Sequence, residues 1–454
     1  MENTGSNSSV STSPTIEVPA QKPPSPPLAP PPLNKYAYSF FAPEVTPKRK
    51  LFIKIMIKTI IVNVIFIWTA LPLYWGSFAH QRDFSKFLHA RFIDQDGSDL
   101  GTAMRAAFQA NINARTNTKI GWIIDDHAKS FSDGQVRNLV IDETAWAVVI
   151  VHSGATAALI TARENGDPSY NTSAAITFYY NQARNENGAN NYVVPYTQAL
   201  LNTALANFSS QYTAQYFSQQ AGNVTAMQGV AGAPQTISDV FSYSSLNLRP
   251  YTSTTAQALT LVGDIYLNIF AYVLTMAGLL GRMTMKPFAS FRQGVFYRIL
   301  VPVLMYIPLA LSYAMISLNT KVPFGSRYTY AGGFFLFFFY VWLTICALGL
   351  AIESAVTVLP PPFMPFFLLT VILCNISVAS LPIQLQPWIY RYGFGLPVYN
   401  LGQATRTIIF NTESHLGANV GVLLAWITVL LVILPSFMWW SQRRQPAPAG
   451  PGPR

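Results

Sequence analysis

The chain has 454 residues, of which 51% are hydrophobic and only 11% are charged. Soluble proteins carry about 25% charged residues, so the composition excludes an ordinary cytosolic enzyme and indicates an integral membrane protein. A formal net charge of +10 would suggest a nucleic-acid partner in a soluble protein, whereas membrane proteins collect Lys and Arg in their cytoplasmic loops. Both cysteines, Cys346 and Cys374, lie in apolar runs, so no disulfide framework is expected.

The first fifty residues (1–50) are polar and rich in proline, and we predict a disordered cytoplasmic tail. Nine prolines lie between Pro14 and Pro32. Such a segment cannot bury enough apolar surface to fold, and its prolines favour extended polyproline conformations. Two interpretations stay open, because the run is suited either to a simple linker or to docking an SH3 or WW domain.

A basic cluster ending at Lys58 is followed by an apolar run, and we predict the first transmembrane helix at residues 55–76. With a rise of about 1.5 Å per residue, this helix crosses a hydrocarbon core of about 30 Å. Some fifty polar residues precede it, so it is not an ordinary cleaved signal peptide. We interpret it as an uncleaved anchor whose N-terminus is cytoplasmic.

Five further apolar runs, within residues 256–440, predict the remaining transmembrane helices, at about 260–280, 297–317, 333–352, 363–382 and 418–440. Six crossings that begin inside place both termini in the cytoplasm, together with the loops 281–296 and 353–362 and the tail 441–454. Counted with the flanking Lys58 and Arg298, these cytoplasmic stretches hold 14 Lys or Arg against 4 Asp or Glu. Their balance of +10 supports the orientation.

Residues 77–255, between the first two spans, are predicted to form one extracytoplasmic domain. They hold 13 acidic and 11 basic residues and no long apolar run, and their length suits a compact domain. Three Asn-X-Ser/Thr sequons agree with an external position, and they make Asn171, Asn207 and Asn223 candidate N-glycosylation sites.

Strands and helices alternate along this segment, which predicts an α/β domain with at least partly parallel strands. The expected strands are 88–95, 119–125, TAWAVVIVHSG and AAITFYYNQA, and the expected helices are 99–114, ATAALITARENG and 197–220. The predicted fold class is therefore a polytopic α-helical membrane protein with six transmembrane helices, arranged 1 + 5, and a large extracytoplasmic α/β domain between the first two.

Two acidic runs in this domain do not qualify as metal sites. An EF-hand loop beginning at Asp94 would need glycine where Asp99 stands and glutamate where Arg105 stands. A strand-ending turn with Ser98 or Asp99 capping the next helix explains the run. Asp125, Asp126 and His127 are read as the polar end of a strand, since a second ligand cluster is missing. We expect no metal and no cofactor.

The sequence contains no known motif for nucleophilic or metal-dependent catalysis. The chain contains no G-x-S-x-G elbow, no H-E-x-x-H and no P-loop pattern. We therefore predict no catalytic residues and no enzyme activity. Active transport would then depend on a separate ATPase or on an ion gradient.

Polar residues inside the predicted spans are more informative, because ionisable groups in a membrane are expensive unless they are paired or near the interface. Asp264 and Glu353 allow two interpretations, either a position at the headgroups or polar contacts inside the helix bundle. In the second case the candidate partners are Asn268, one turn from Asp264, or Asn375 and Ser377 in the fifth span.

Two further features of the C-terminal half concern packing and the membrane surface. Gly417, Gly421 and Ala425 form a small-residue face that would let the sixth helix pack closely on a neighbour. The stretch 383–415 is too polar to span but rich in aromatic residues, which predicts short helices lying on, or re-entering, the outer leaflet.

Three blocks resemble a known family: SFAHQRDFSKFLHARFIDQDGS after the first span, and residues 332–354 and 375–426. They are similar to the fungal membrane proteins that include the nitrosoguanidine-resistance protein. The layout of one anchor, a large external domain and five clustered spans more distantly resembles ABC-2-type permeases and the bacterial phage-infection-protein group. The resemblance implies a role in drug or mutagen resistance or in lipid regulation at the plasma membrane. It also implies that an ATPase would dock on the 281–296 loop.

Two functional hypotheses follow. The first is a plasma-membrane, exporter-like permease for hydrophobic or amphipathic compounds, including lipids. The second is a membrane scaffold or regulator without transport activity, whose external domain and Pro-rich tail bind other proteins. Expected partners are membrane lipids and a protein bound at the tail or at the 281–296 loop, with no nucleic acid.

Overall fold

A computed structural model describes residues 37–285 and 288–444. Most of the predicted Pro-rich tail and most of the predicted tail 441–454 therefore lie outside the described residues. By its internal contacts the chain divides into a part that ends at Val64 and a part that begins at Ile65. All the sites described below belong to the second part.

Fifteen α-helices and five strands make up the described residues. The helices are α1 (Thr46–Ser77), α2 (Gln81–Phe84), α3 (Asp99–Asn113), α4 (Asp133–Ile141), α5 (Ala155–Asn165), α6 (Glu186–Gly188), α7 (Val194–Gln220), α8 (Val224–Gly232), α9 (Gln235–Ser238), α10 (Gly263–Met285), α11 (Phe291–Asn319), α12 (Tyr330–Val358), α13 (Met364–Ala379), α14 (Pro397–Phe410) and α15 (Leu416–Arg443). The strands are β1 (His89–Asp94), β2 (Gly121–Ile124), β3 (Ala147–Val151), β4 (Ile176–Tyr180) and β5 (Tyr243–Asn247).

The five strands form a single mixed sheet in the order β2-β1-β3-β4-β5. β1 runs parallel to β2 and β3, β4 runs antiparallel to β3, and β5 runs parallel to β4. The four strands expected from the sequence are all present, and the prediction of a partly parallel sheet is confirmed. The edge strand β5 was not predicted, because its sequence YSSLN is polar and mostly exposed and shows no apolar alternation.

Side chains alternate between the two faces of this sheet, as the period of a strand requires. On one face Phe92 packs with Phe108 of α3 and Leu201 of α7. On the other face Ile93 and Val148 belong to a separate cluster that includes α4. Helices therefore cover both faces, and the domain has two apolar layers.

Six helices of the described chain are long and apolar enough to cross a membrane: α1, α10 with the π-helical turn that precedes it, α11, α12, α13 with the short turn that precedes it, and α15. They occupy the positions predicted from the sequence. Of the 18 consecutive residues with the highest hydropathy in each helix, 67% are buried in α12 and 17% are buried in α15. Since α12 packs against α10, α11, α14 and α15, it lies at the centre of the helix bundle.

The stretch 383–415 contains an exposed part and a buried part. A 3-10 helix, Trp388–Gly395, exposes Trp388 and Phe394 and keeps the expected aromatic character. The helix α14 that follows does not lie on a surface, because Leu401, Ala404 and Ile408 are fully buried. α12, α13 and α15 pack around it, so α14 is a core helix that does not need to span.

The small-residue face of α15 meets no neighbour within the described residues. Gly417, Gly421 and Ala425 are exposed, and a Cβ atom built on either glycine meets no described atom within 4 Å. α15 instead packs on the bundle through Leu423, whose side chain is fully buried. Branched apolar side chains, which bury more surface than glycine, form this contact.

Replacing Phe108 with alanine should destabilise the protein by about 3–5 kcal/mol, because it leaves a cavity in the core. The Phe108 ring is fully buried, with ring centroids 4.3 Å from Phe92 and 4.6 Å from Trp122. Thermal unfolding of the full-length protein in detergent measures the effect. Phe217→Ala is the matched control, since that ring is 39% exposed. Equal melting temperatures for the two variants would contradict this packing.

Candidate functional site

A partly enclosed cavity of about 450 Å³ lies where the α/β domain meets the membrane helices. The domain contributes charged and aromatic side chains, namely Glu143, Trp146 and Arg184. The membrane part contributes apolar side chains and several polar ones, namely Leu381, Ile383, Phe394, Val422, Tyr399, Gln403, His415 and Asn419. The cavity is therefore amphipathic, with its charges on the domain side.

An ion pair stands at the charged wall of this cavity. The Arg184 Nε atom lies 3.2 Å from Glu143 Oε2, and only 15% of each side chain is exposed. The Arg184 guanidinium also stacks over the Trp146 ring, 4.1 Å from its centroid. Arg184 is thus held by a carboxylate and by an aromatic face at the same time.

Burial makes this ion pair unfavourable. It raises the pKa of Glu143 despite the attraction of Arg184 and His415. It lowers the pKa of Arg184 despite the attraction of Glu143. Burial thus disfavours the charged form of each group, and buried pairs often gain less from attraction than they lose in hydration. Shifts of this kind, in a cleft, are typical of functional sites.

Glu143 also has an unusual backbone. Its φ angle is +53°, in the left-handed region that non-glycine residues rarely occupy. The residue lies in the short connection between α4 and β3. Backbone strain of this kind persists where the surrounding structure enforces it and often marks functional positions. The strain and the buried charge therefore fall on the same residue.

A second buried ion pair joins the membrane helix α14 to the domain. Arg406 Nη1 lies 2.6 Å from Glu186 Oε2 and donates a hydrogen bond of 3.0 Å to the Ala183 carbonyl oxygen. Burial alone would raise the pKa of Glu186, but the attraction of Arg406 outweighs it, so the pKa lies below the ordinary value. This pair is favourable in its charged form, in contrast to Glu143 and Arg184.

The polar residues predicted inside the spans are all buried in the bundle. Glu353 is fully buried and pairs with Arg282 at 2.8 Å and Arg298 at 3.1 Å. Asp264 is fully buried and accepts a hydrogen bond of 3.2 Å from the Tyr313 hydroxyl. The structure thus places both carboxylates in contacts inside the bundle.

The two candidate amide partners behave differently from each other. Asn268 makes no hydrogen bond within the described residues through either side-chain atom. Asn375 Oδ1 accepts from the Val398 backbone nitrogen at 3.2 Å, and its Nδ2 donates to the Val371 carbonyl. Asn375 therefore fixes the start of α14, whereas Asn268 is not bonded to Asp264.

The remaining sequence candidates lie on the surface of the domain. Asn171, Asn207 and Asn223 are exposed, although Asn207 lies within α7 and Asn223 caps α8. Within the described residues no three His, Cys, Asp or Glu side chains are grouped to hold a metal ion. Ser98 stands at the N-terminus of α3 as expected, but its hydroxyl makes no capping hydrogen bond.

Sequence reasoning missed the four residues of the two ion pairs, Glu143, Arg184, Glu186 and Arg406. The first three look like ordinary surface charges of a soluble domain, and nothing local to them indicates burial. Arg406 carried a signal, since it is the single charge in the otherwise uncharged run GQATRTIIF. A charge in such a run is rarely buried without a partner.

Comparison with known proteins identifies a family. A model of the family described as "Protein of unknown function (DUF3533)" matches residues 59–432, and the chain belongs to this family. The chain is also 24% identical over 442 residues to a Saccharomyces cerevisiae protein named "Uncharacterized endoplasmic reticulum membrane protein YJR015W", which covers 89% of this chain and 84% of that protein. No solved structure matches the chain. The protein is an integral membrane protein of this fungal family.

Exchanging the two glutamates for glutamine should change stability in opposite directions at neutral pH. Glu143 has a raised pKa, so its stabilising contribution is present at low pH and is lost as the pH rises through that pKa. Glu143→Gln should therefore melt at or above the temperature of the unmodified protein. Glu186 has a lowered pKa, so Glu186→Gln should melt at a lower temperature.

Thermal unfolding between pH 7 and pH 4 provides the measurement, with the two variants as controls for each other. The difference for Glu143→Gln should shrink as the pH falls through the raised pKa of Glu143 toward the ordinary glutamate pKa of about 4.3, whereas the difference for Glu186→Gln should begin to shrink only below about 4.3. If the melting temperatures of both variants changed in the same direction at neutral pH, the two ion pairs would not differ as described.

Proposed function

We propose that this member of the DUF3533 family is an exporter-like permease that binds zwitterionic amphiphiles, such as phospholipids, in the cavity between its domain and its membrane helices. One observation carries the proposal: an ion pair that burial disfavours stands directly beside an apolar wall. A ligand with two opposite charges and an apolar chain would complement both parts of this cavity.

The charges of the cavity match a zwitterionic headgroup. Arg184 is suited to a phosphate, because its guanidinium donates several hydrogen bonds to anionic oxygens. Glu143 is suited to the ammonium group, and the Tyr399 ring lines the same cavity and adds an aromatic face for it. The strained and disfavoured state of the Arg184–Glu143 pair is relieved when each partner gains a ligand charge.

The apolar side of the cavity matches the apolar part of such a ligand. Leu381, Phe394 and Val422 line it from the membrane part, where they are placed to contact an acyl chain or a hydrophobic drug. Asn419 is 4% exposed, and its Nδ2 atom has no hydrogen-bond partner in the described chain. This donor is available to a ligand carbonyl.

The order of the segments along the chain also supports the proposal of an exporter. One anchor helix, an α/β domain and five further helices follow the order expected of ABC-2-type permeases, with the domain outside and both termini in the cytoplasm. The resemblance to nitrosoguanidine-resistance proteins links such a protein to drug resistance or lipid handling. The name of the yeast relative, an endoplasmic reticulum membrane protein, favours that membrane for this chain over the plasma membrane expected from the sequence.

The purified protein in liposomes should move a fluorescent phosphatidylcholine between leaflets faster than protein-free liposomes do. Arg184→Gln should slow this movement, because glutamine removes the charge that would hold the phosphate. Accessibility of the fluorescent lipid to a membrane-impermeant reductant measures the movement. The experiment is run with and without an imposed ion gradient.

Arg105→Gln is the matched control, since Arg105 forms an exposed ion pair with Asp126 away from the cavity. This variant should move lipid at the unmodified rate. Loss of movement in both variants, or no movement by the unmodified protein under any gradient, would contradict the proposal. The latter result would favour the scaffold hypothesis.

A further inference from the structure

One face of α10 is polar along the whole length of the helix. Asp264, Asn268, Thr275 and Arg282 are separated by four, seven and seven residues, which places them on one side of an α-helix. The first three are fully or almost fully buried. With a rise of about 1.5 Å per residue, this row extends for about 27 Å, close to the thickness of a hydrocarbon core.

Neighbouring helices add further polar groups to this row. Tyr313 of α11 donates to Asp264, and Tyr306 of α11 lies beside Thr275. Glu353 of α12 pairs with Arg282 at the far end. We call the set formed by Asp264, Asn268, Thr275, Arg282, Tyr306, Tyr313 and Glu353 the polar row.

Many atoms of the polar row have no partner within the described part of the chain. They are Asp264 Oδ2, both side-chain polar atoms of Asn268, Thr275 Oγ1 and the Tyr306 hydroxyl. Buried polar atoms are nearly always hydrogen-bonded in proteins, and the need is stronger inside a membrane. Groups that can donate and accept are thus left without partners at intervals along the row.

Glycines make room for the polar ends of three of these side chains. A Cβ atom on Gly263 would overlap the Tyr313 hydroxyl, and one on Gly349 would overlap the Tyr306 hydroxyl. A Cβ atom on Gly278 would lie 3.1 Å from Arg282 Nη1. The close approach of polar groups to α10 and α12 therefore depends on missing side chains at these positions.

The two carboxylates of the row differ in their partners. Glu353 is held by two arginines. Asp264 forms no ion pair within the described residues; the titratable groups that act on it are Tyr313 from α11 and Arg406 from α14. Arg406 is already paired with Glu186. A π-helical turn, Ala258–Val262, comes just before Asp264, a feature frequent at functional sites.

We propose that the polar row is a proton pathway through the membrane part of the protein, with Asp264 as its proton-binding site. The hydroxyl and amide groups of the row, bridged by water, pass protons between Asp264 and the Arg282–Glu353–Arg298 ion-pair group at the opposite end. A proton fits better than a metal ion, because Asp264 is the single carboxylate of the row at its end and hydroxyl groups of tyrosine and threonine relay protons.

Proton flux in proteoliposomes tests the pathway. The unmodified protein should dissipate an imposed pH gradient faster than protein-free vesicles, with the membrane potential clamped and an internal pH-sensitive dye as the readout. Asp264→Asn and Thr275→Val should reduce the flux to that of protein-free vesicles. Thr370→Val is the matched control, because Thr370 is an exposed threonine of α13 outside the row, and it should keep the full flux.

A second measurement needs no variant and so does not depend on folding. A hydrophobic carbodiimide, which reacts with protonated carboxyl groups in membranes, should label Asp264 and stop the flux, while Glu353 stays unlabelled because two arginines bind its carboxylate oxygens. Peptide mass spectrometry identifies the labelled residue. Flux that persists in Asp264→Asn, flux that follows a sodium gradient instead, or labelling of Glu353 without Asp264 would each overturn the proposal. Lipid movement is scored separately, so the failure of either function is recognised on its own.

Discussion

The contact between Arg406 and the α/β domain is the interaction on which the arrangement of the site depends. Arg406 belongs to α14, a helix buried among the membrane helices, yet it binds Glu186 and the Ala183 carbonyl oxygen of the domain. A buried arginine without partners would be strongly unfavourable. Docking of the domain therefore satisfies a charge of the bundle, and this docking brings Arg184 and Glu143 above the apolar wall of the cavity.

The buried charges of the protein fall into two groups with different physical roles. Glu186 and Glu353 face arginines closely and hold elements together. Glu143 and Asp264 are held less well. Glu143 has an arginine partner, but burial disfavours its charge and its backbone is strained. Asp264 accepts one hydroxyl hydrogen bond within the described residues. Structural roles account for the first group. The second group is where ligand and proton binding are proposed.

The sequence predicted those helices and strands whose own residues show a clear hydropathy pattern. The six apolar runs and the strands β1 to β4 have clear hydropathy patterns, and the structure contains all of them. β5 and α14 were missed or misread because their burial is decided by distant neighbours: β5 is a polar edge strand, and α14 is a polar-looking helix enclosed by three others. The cavity could not be predicted from the sequence for the same reason, because the residues that line it are spread along the chain from position 143 to position 422.

Arg406 also links the two proposed activities. It pairs with Glu186 of the domain, and it acts electrostatically on Asp264 at one end of the polar row. α14 carries Arg406 together with Tyr399 and Gln403, which line the cavity. The proposed lipid site and the proposed proton-binding site therefore share one helix, which the ion pair between Arg406 and Glu186 holds against the domain.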